Sequence, residues 1–172
     1  MPARIDFSTL TLLDTLDLAI LIEKEAHDRY SLFAEQLGAT ETGSVFRSMA
    51  ENEKKHGEAL AARRRLLFGD GPARYTRGDI FDVEAPDVGS PRWNMSEYNA
   101  YRVALHSEKK AWEYYDDALR SVKQPEVRAL FEELREEEAE HVRMVEAIIA
   151  KLPPSAQEEA EDLDDSYMRM GY

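Results

Sequence analysis

The chain has 172 residues, a formal net charge of −13, 33% charged residues and no cysteine. That length suits one domain able to bury a core without staples, and the missing cysteine excludes disulfides, zinc ribbons, iron–sulfur clusters and thiol catalysis. The acidic balance argues against a nucleic-acid partner, which requires a basic surface, and by itself implies only a well-solvated exterior.

Met1 to Ser8 reads as a short lead-in. From about Thr11 to Leu37 the residues Leu12, Leu13, Leu16, Ala19, Ile20, Tyr30, Phe33, Ala34 and Leu37 recur at helical spacing, interrupted where Glu23 falls. The most apolar run, Leu10 to Ile22, is broken by Asp14 and Asp17. It is too short and too charged to span a bilayer or to serve as a signal peptide, so no membrane association and a cytoplasmic location are expected. Gly38 is a natural helix stop. A second helix is expected from about Thr42 to Leu67, with Val45, Phe46, Met49, Leu60 and Leu67 on its apolar face. Arg63-Arg64-Arg65 near its end reads as a solvated terminus whose charge complements the helix dipole.

Residues 68–95 hold Gly69, Gly71, Pro72, Gly78, Pro86, Gly89 and Pro91, the composition of a long connection. Ser96 followed by Glu97 caps a third helix running to about Arg120, and Pro125 opens a fourth that runs to about Leu152 before Pro153-Pro154. A 26-residue helix is about 39 Å long, and an extended connection over 68–95 reaches more than twice that distance. Helices two and three can therefore run parallel, which gives an all-α four-helix bundle of ferritin-like topology, two helical hairpins joined by one long crossover. The expected organisation is a bundle over residues 1–154 and an acidic tail over 155–172, read as disordered, with Tyr167, Met168, Met170 and Tyr172 as residues able to dock.

A shift of 85 positions lays the second hairpin on the first without a gap. Glu53 falls on Glu138, His56 on His141, Glu23 on Glu108 and Tyr30 on Tyr115, and Ala19, Lys24, Ala26, Phe46 and Glu51 meet identical residues. Each half thus supplies a glutamate from its first helix and, thirty residues later, an E-x-x-H from its second. Residues three apart share a helix face, so each motif presents a carboxylate and an imidazole together. Single copies of E-x-x-H arise readily in so acidic a chain; two in one register with a second matched glutamate do not. The glutamates also lie on apolar stripes, where unpaired carboxylates are very costly to bury and where lysine and arginine are too few to pair them. Four carboxylates neutralise two divalent cations, each of which gains one imidazole nitrogen. Oxygen and nitrogen ligation without sulfur suits iron or manganese, with zinc a common substitute.

At these residues the chain resembles the ferritin-like di-iron carboxylate proteins, and among them the rubrerythrin group. Glu23-Lys24-Glu25-Ala26-His27-Asp28-Arg29-Tyr30 and Glu108 to Tyr115 resemble the family's first and third helices, and the two E-x-x-H motifs its second and fourth. The resemblance covers about Leu10 to Leu152. It implies two iron ions held by Glu23, Glu53, His56, Glu108, Glu138 and His141, with Glu53 and Glu138 as the bridges. It implies a di-iron oxidoreductase that acts on O2 or hydrogen peroxide or oxidises Fe(II), and a homo-oligomer, preferentially a dimer. Full rubrerythrins feed electrons through a cysteine-ligated rubredoxin module; with no cysteine, this chain needs an external electron-donor protein. Peroxidase-type members carry a further glutamate on the third helix, where this chain has Ala111, three residues after Glu108, while Glu113 lies on another face. What is left is a symmetric six-residue set.

The remaining candidates are weaker. His27 has Trp112 as its repeat counterpart and is expected beside the site or at the core edge, not on the metal. His106 is expected at the surface. Glu137 lies one turn from His141, but its counterpart is Asn52, which favours Glu138. Glu51 and Glu136 point to solvent. Tyr30 and Tyr115 either hydrogen-bond the ligand carboxylates and pass electrons, or are plain core aromatics. Two other functions stay open: an iron-binding or storage protein whose site takes iron in, and an adaptor using the tail from Asp162 to Tyr172.

Overall fold

A computed structural model describes residues 5–80, 83 and 95–156. Helix α1 spans Leu12–Leu37, α2 Glu41–Phe68, α3 Glu97–Leu119 and α4 Pro125–Ile149, with single 3-10 turns at Phe7–Thr9 and Arg77–Asp79. The described residues contain no strand. α1 packs along α2 and α3 along α4, and the link from α2 to α3 returns the chain to the opposite end, so the expected hairpin-crossover-hairpin bundle is formed. No helix among the described residues is long and apolar enough to cross a membrane. The second half of the crossover and the acidic tail from residue 157 onward, including its tyrosines and methionines, lie outside the described residues.

Local chemistry sets the helix ends. Thr11 accepts from the Asp14 N–H at 3.2 Å while the Asp14 carboxylate accepts from the Thr11 N–H at 3.1 Å, a reciprocal cap that satisfies two orphan donors. Thr40 and Ser96 cap α2 and α3 through their hydroxyls, and Pro125 occupies the first turn of α4. Gly38 closes α1 at φ 62° and Gly69 closes α2 at φ 73°, backbone that favours glycine. At Gly43 a Cβ would meet the Gly38 carbonyl oxygen at 2.3 Å, so the α1–α2 turn is this tight only because position 43 carries none.

The apolar interior divides into two clusters. One gathers Leu16, Ile22, Leu60, Leu119, Phe131 and Leu134 at the end where α1 begins and α2 finishes. The other gathers Tyr30, Phe33, Phe46, Met49, Ala104 and Val145 toward the opposite end. Each large side chain so buried contributes roughly 2 kcal/mol of transfer free energy. Between the clusters Glu23 and Glu108 interrupt the stripes, each flanked four residues before and three after by fully buried alanines, Ala19 and Ala26 or Ala104 and Ala111. These small residues leave the carboxylates room within the core.

Two expectations need correction. The lead-in is partly core, since the Phe7 ring meets Tyr114 and Phe131 edge-on at 5.4 and 6.0 Å, and Leu10 just beyond it is buried. The connection also packs back on the bundle: Ile80 is fully buried, and Arg74 and Arg77 reach back to Asp14 and Asp28 of α1. Arg64 is not a solvated helix end. Its Nε donates to Asp17 Oδ1 at 2.9 Å and its other nitrogens donate to the Gly69 and Gly71 carbonyls, which fixes the exit from α2 against α1. The buried Asp17 needs a cation, and Arg64 is the one within reach.

Candidate metal centre

Each of the four helices brings one glutamate to the middle of the bundle. Glu23 from α1, Glu53 from α2, Glu108 from α3 and Glu138 from α4 are each 0–1% exposed. The two imidazoles come from α2 and α4. His56 and His141 stack nearly parallel, with ring centroids 4.9 Å apart and an interplanar angle of 8°. All six residues paired by the 85-position repeat are therefore brought together.

The two halves are not equally tight. His141 Nδ1 lies 3.1 Å from Glu108 Oε2 and 3.6 Å from Glu138 Oε2, whereas His56 Nδ1 is 3.9 Å from both Glu23 Oε2 and Glu53 Oε2. The His141 side chain is 12% exposed and that of His56 30%. Tyr30, fully buried, donates its hydroxyl to Glu108 Oε1 at 3.0 Å, so one of the two readings of this tyrosine, a hydrogen bond to a site carboxylate, is realised. Tyr115 is equally buried, its ring against Tyr114 and Phe131.

Electrostatics follow the packing. Burial, reinforced by the neighbouring Glu53 and Glu138 charges, raises the Glu23 carboxyl well above the ordinary range. Burial likewise raises Glu138, although the His141 ring beside it opposes the shift. For His141 burial favours the neutral ring, but the hydrogen bond to Glu108 and the adjacent Glu138 carboxylate outweigh it and push the imidazole up to about 11. His56 is lowered by burial and by the nearby His141 charge. The packing thus favours the protonated forms of Glu23, Glu138 and His141 in the absence of a cation.

Glu23 Oε2 and Glu138 Oε2 are buried without a hydrogen-bond partner. Such groups are expensive to leave unmatched, and an ion between them supplies the missing partner. Glu53, His56 and His141 each offer a donor atom within 4.8 Å of the others, and so do Glu108, Glu138 and His141. An all-oxygen-and-nitrogen donor set with four carboxylates fits a pair of divalent ions of the iron or manganese type.

The other candidates fall outside this cluster. His27, half-buried, contacts Asp28 at 3.1 Å and Ser31 at 3.4 Å. His106, Glu51 and Glu136 are exposed. Glu137 is half-buried beside the cluster, and Ala111 is fully buried where a further carboxylate would stand in the peroxidase-type pattern.

Comparison with known proteins bears on the family and the fold. A family model described as Rubrerythrin matches residues 14–149. The solved structure of an uncharacterised conserved protein from Magnetospirillum magnetotacticum is similar at 34% identity and a TM-score of 0.66, covering 84% of this chain and 97% of that one. A hypothetical protein from Pyrococcus furiosus shares the fold at 22% identity and a TM-score of 0.55, covering 82% and 89%. No curated protein matches.

Proposed function

This chain belongs to the rubrerythrin family, and from that premise we propose that it is a di-iron carboxylate oxidoreductase acting on O2 or hydrogen peroxide, or oxidising Fe(II). The carrying observation is the buried ring of four glutamates around two stacked imidazoles, two of whose carboxylate oxygens have no hydrogen-bond partner. In this reading Glu23, Glu53 and His56 would hold one ion and Glu108, Glu138 and His141 the other, with Glu53 and Glu138 as the carboxylates that would be shared between them. Manganese or zinc are the substitutes the same donors accept. Bound iron supplies the two electrons that reduce the oxidant.

The chain's own residues do the rest. Tyr30 fixes the orientation of Glu108 through its hydroxyl, as outer hydrogen bonds commonly do for metal ligands. The apolar clusters on either side, Ile22 with Leu60 and Phe46 with Val145, keep water from the buried carboxylates. His141 Nδ1 stands 3.1 Å from Glu108 and 3.6 Å from Glu138, where the ring is able to hold a proton between the two carboxylates. Since the chain has no cysteine of its own for a rubredoxin-type centre, re-reduction falls to a separate electron-donor protein. A cytoplasmic homodimer is the setting we propose.

The test is to load the protein with Fe(II) without oxygen and add hydrogen peroxide. Peroxide should disappear as near-ultraviolet absorbance of ferric iron grows. Loaded protein that leaves peroxide and oxygen untouched would rule the redox reading out.

A further inference from the structure

The helices that bring Glu23 and Glu108 to the centre are backed unequally. On α1, Asp14, Leu18, Leu21 and Glu25 form one helical stripe about 180° from Glu23, on the face turned away from the core. Such a face is ordinarily solvated, yet Asp14, Leu18 and Glu25 are buried and Leu21 is half-buried. On α3 the residues 85 positions later are more open: Asn99, Val103 and Lys110 are half-buried and His106 is exposed.

The first half of the crossover is fastened along α1. It leaves α2 with its Gly69 and Gly71 carbonyls tied to Arg64, which also holds Asp17 of α1 at 2.9 Å. Arg74 then reaches Asp14 at 3.4 Å, the 3-10 turn at Arg77–Asp79 packs on α1, and Arg77 pairs with Asp28. Tyr75, Ile80 and Val83 share one apolar cluster with Leu18 and Leu21, and Ile80 is fully buried. The attachments to α1 bracket Glu23 in the chain, with Asp14 and Asp17 before it and Asp28 after it. Arg74 and Arg77 are exposed, so their two ion pairs are individually weak, and the apolar seat of Ile80 is the firmer hold.

We propose that this segment, residues 69–80, is a strap coupled to the metal centre. Docked, it holds α1 so that Glu23 meets the ion shared with Glu53 and His56; that ion, once bound, holds the strap down. The inference rests on the di-metal reading above. Coupling of this kind is reciprocal: the factor by which undocking weakens the ion equals the factor by which the ion favours docking. The ion held through Glu108 and His141 belongs to α3 and α4 and stays outside the coupling. Ile80 and Arg77 are thus positioning residues, acting on the centre through α1.

The test titrates the full chain, stripped of metal, with Co(II) and takes two readings. Chelator competition gives the affinity of each ion, and His56→Ala shows which visible band belongs to the half on α1 and α2. Residue-resolved hydrogen exchange follows the strap through the N–H groups of Thr76, Asp79, Ile80 and Val83, which donate within the crossover. Ser121 and Val122, which donate to Ala118 at the α3–α4 turn, are the comparison. Ile80→Ala should weaken the ion of the first half about tenfold, within the usual range of coupling between two sites. Arg77→Ala, a surface change, should weaken it about threefold, the scale of an exposed ion pair. Arg135→Ala, which breaks a pair between α3 and α4, should leave it unchanged. Cobalt should slow exchange in the wild-type strap about tenfold more than at Ser121 and Val122. If both strap variants bind the two ions as wild type does, or cobalt slows strap and turn alike, the strap is structural only and the proposal fails. An equal weakening of both ions overturns it too, because general loosening of the bundle has that effect. Wild type taking up no cobalt would instead remove the di-metal reading itself, and the coupling with it.

Discussion

Glu23, Glu53 and His56 on the first hairpin occupy the same repeat positions as Glu108, Glu138 and His141 on the second, yet the two halves are held differently. In the second, the ring nitrogen lies 3.1 Å from one carboxylate, the imidazole is nearly buried, and Tyr30 reaches across from the first hairpin to hold the far oxygen of Glu108. In the first, the ring nitrogen stands 3.9 Å from both carboxylates and nearly a third of the side chain is exposed. A repeat therefore fixes which donors arrive and leaves open how tightly each set is bound.

The sharpest way to break this comparison is to delete one carboxylate from each half of the metal-free protein. Glu108→Ala leaves the His141 charge without its nearest partner inside the bundle and should cost about 3 kcal/mol. Glu23→Ala removes a buried acid with an unmatched oxygen and should leave stability unchanged or raise it. Urea unfolding of both variants with chelator present measures the difference; equal losses would mean that the halves are energetically alike.

Metal removal tests the same protons from another side. Metal bound only to the folded state at a hundred times its dissociation constant adds about 2.7 kcal/mol, which is several degrees in melting temperature. The sign with pH follows from groups whose folded values are raised. Glu23 and Glu138 lie above 4.5, and His141 rises from 6.5 to about 11, so their contribution to the metal-free fold is complete at low pH and is lost as pH rises through those folded values. Cations compete with the same protons, so metal binding strengthens over that range. The melting-temperature gap between loaded and chelated protein should widen from about pH 6 to about pH 8. A gap that narrows would contradict the assignment of protons to these residues.

A third contrast lies at the ends of α2 and α4. Arg64 and Ile149 are equivalent by the repeat, but only Arg64 holds a buried carboxylate and two loop carbonyls. Arg64→Ala should cost about 2 kcal/mol by stranding Asp17. Ile149→Ala, at a half-buried position, should cost roughly 1 kcal/mol. Thermal melts of the two variants check the order.

Much of this was legible in the chain. The helix limits follow from Thr11, Gly38, Ser96 and Pro125, and the 85-position offset shows which glutamates and histidines to expect together, because helical period and chain order decide both. Arg64 was misread because three consecutive arginines at a helix end resemble a solvated terminus. The signal against that reading was Asp17 inside the most apolar run, a charge that had to find a cation. Phe7 and Ile80 were missed since isolated apolar residues in irregular chain carry no period. The inequality of the half-sites was out of reach for a different reason. It depends on distances of a few tenths of an ångström and on where the Tyr30 hydroxyl lands after crossing between hairpins, which a repeat does not fix.

That crossing gives the smallest and most local prediction. Tyr30→Phe keeps the ring against Phe46 and removes one hydroxyl, so the change falls on the bond to Glu108 Oε1. The lost hydrogen bond should cost about 1 kcal/mol of metal-free stability. Glu108 then turns more freely, and the second hairpin's ion should weaken about tenfold, the usual scale for losing an outer hydrogen bond to a ligand. Chelator competition against Co(II)-loaded protein resolves this as one of the two ions per chain leaving at lower chelator while the other stays. Were both ions to weaken together, Tyr30 would be supporting the whole centre, and the division into a tied half and a loose half would have to be drawn elsewhere.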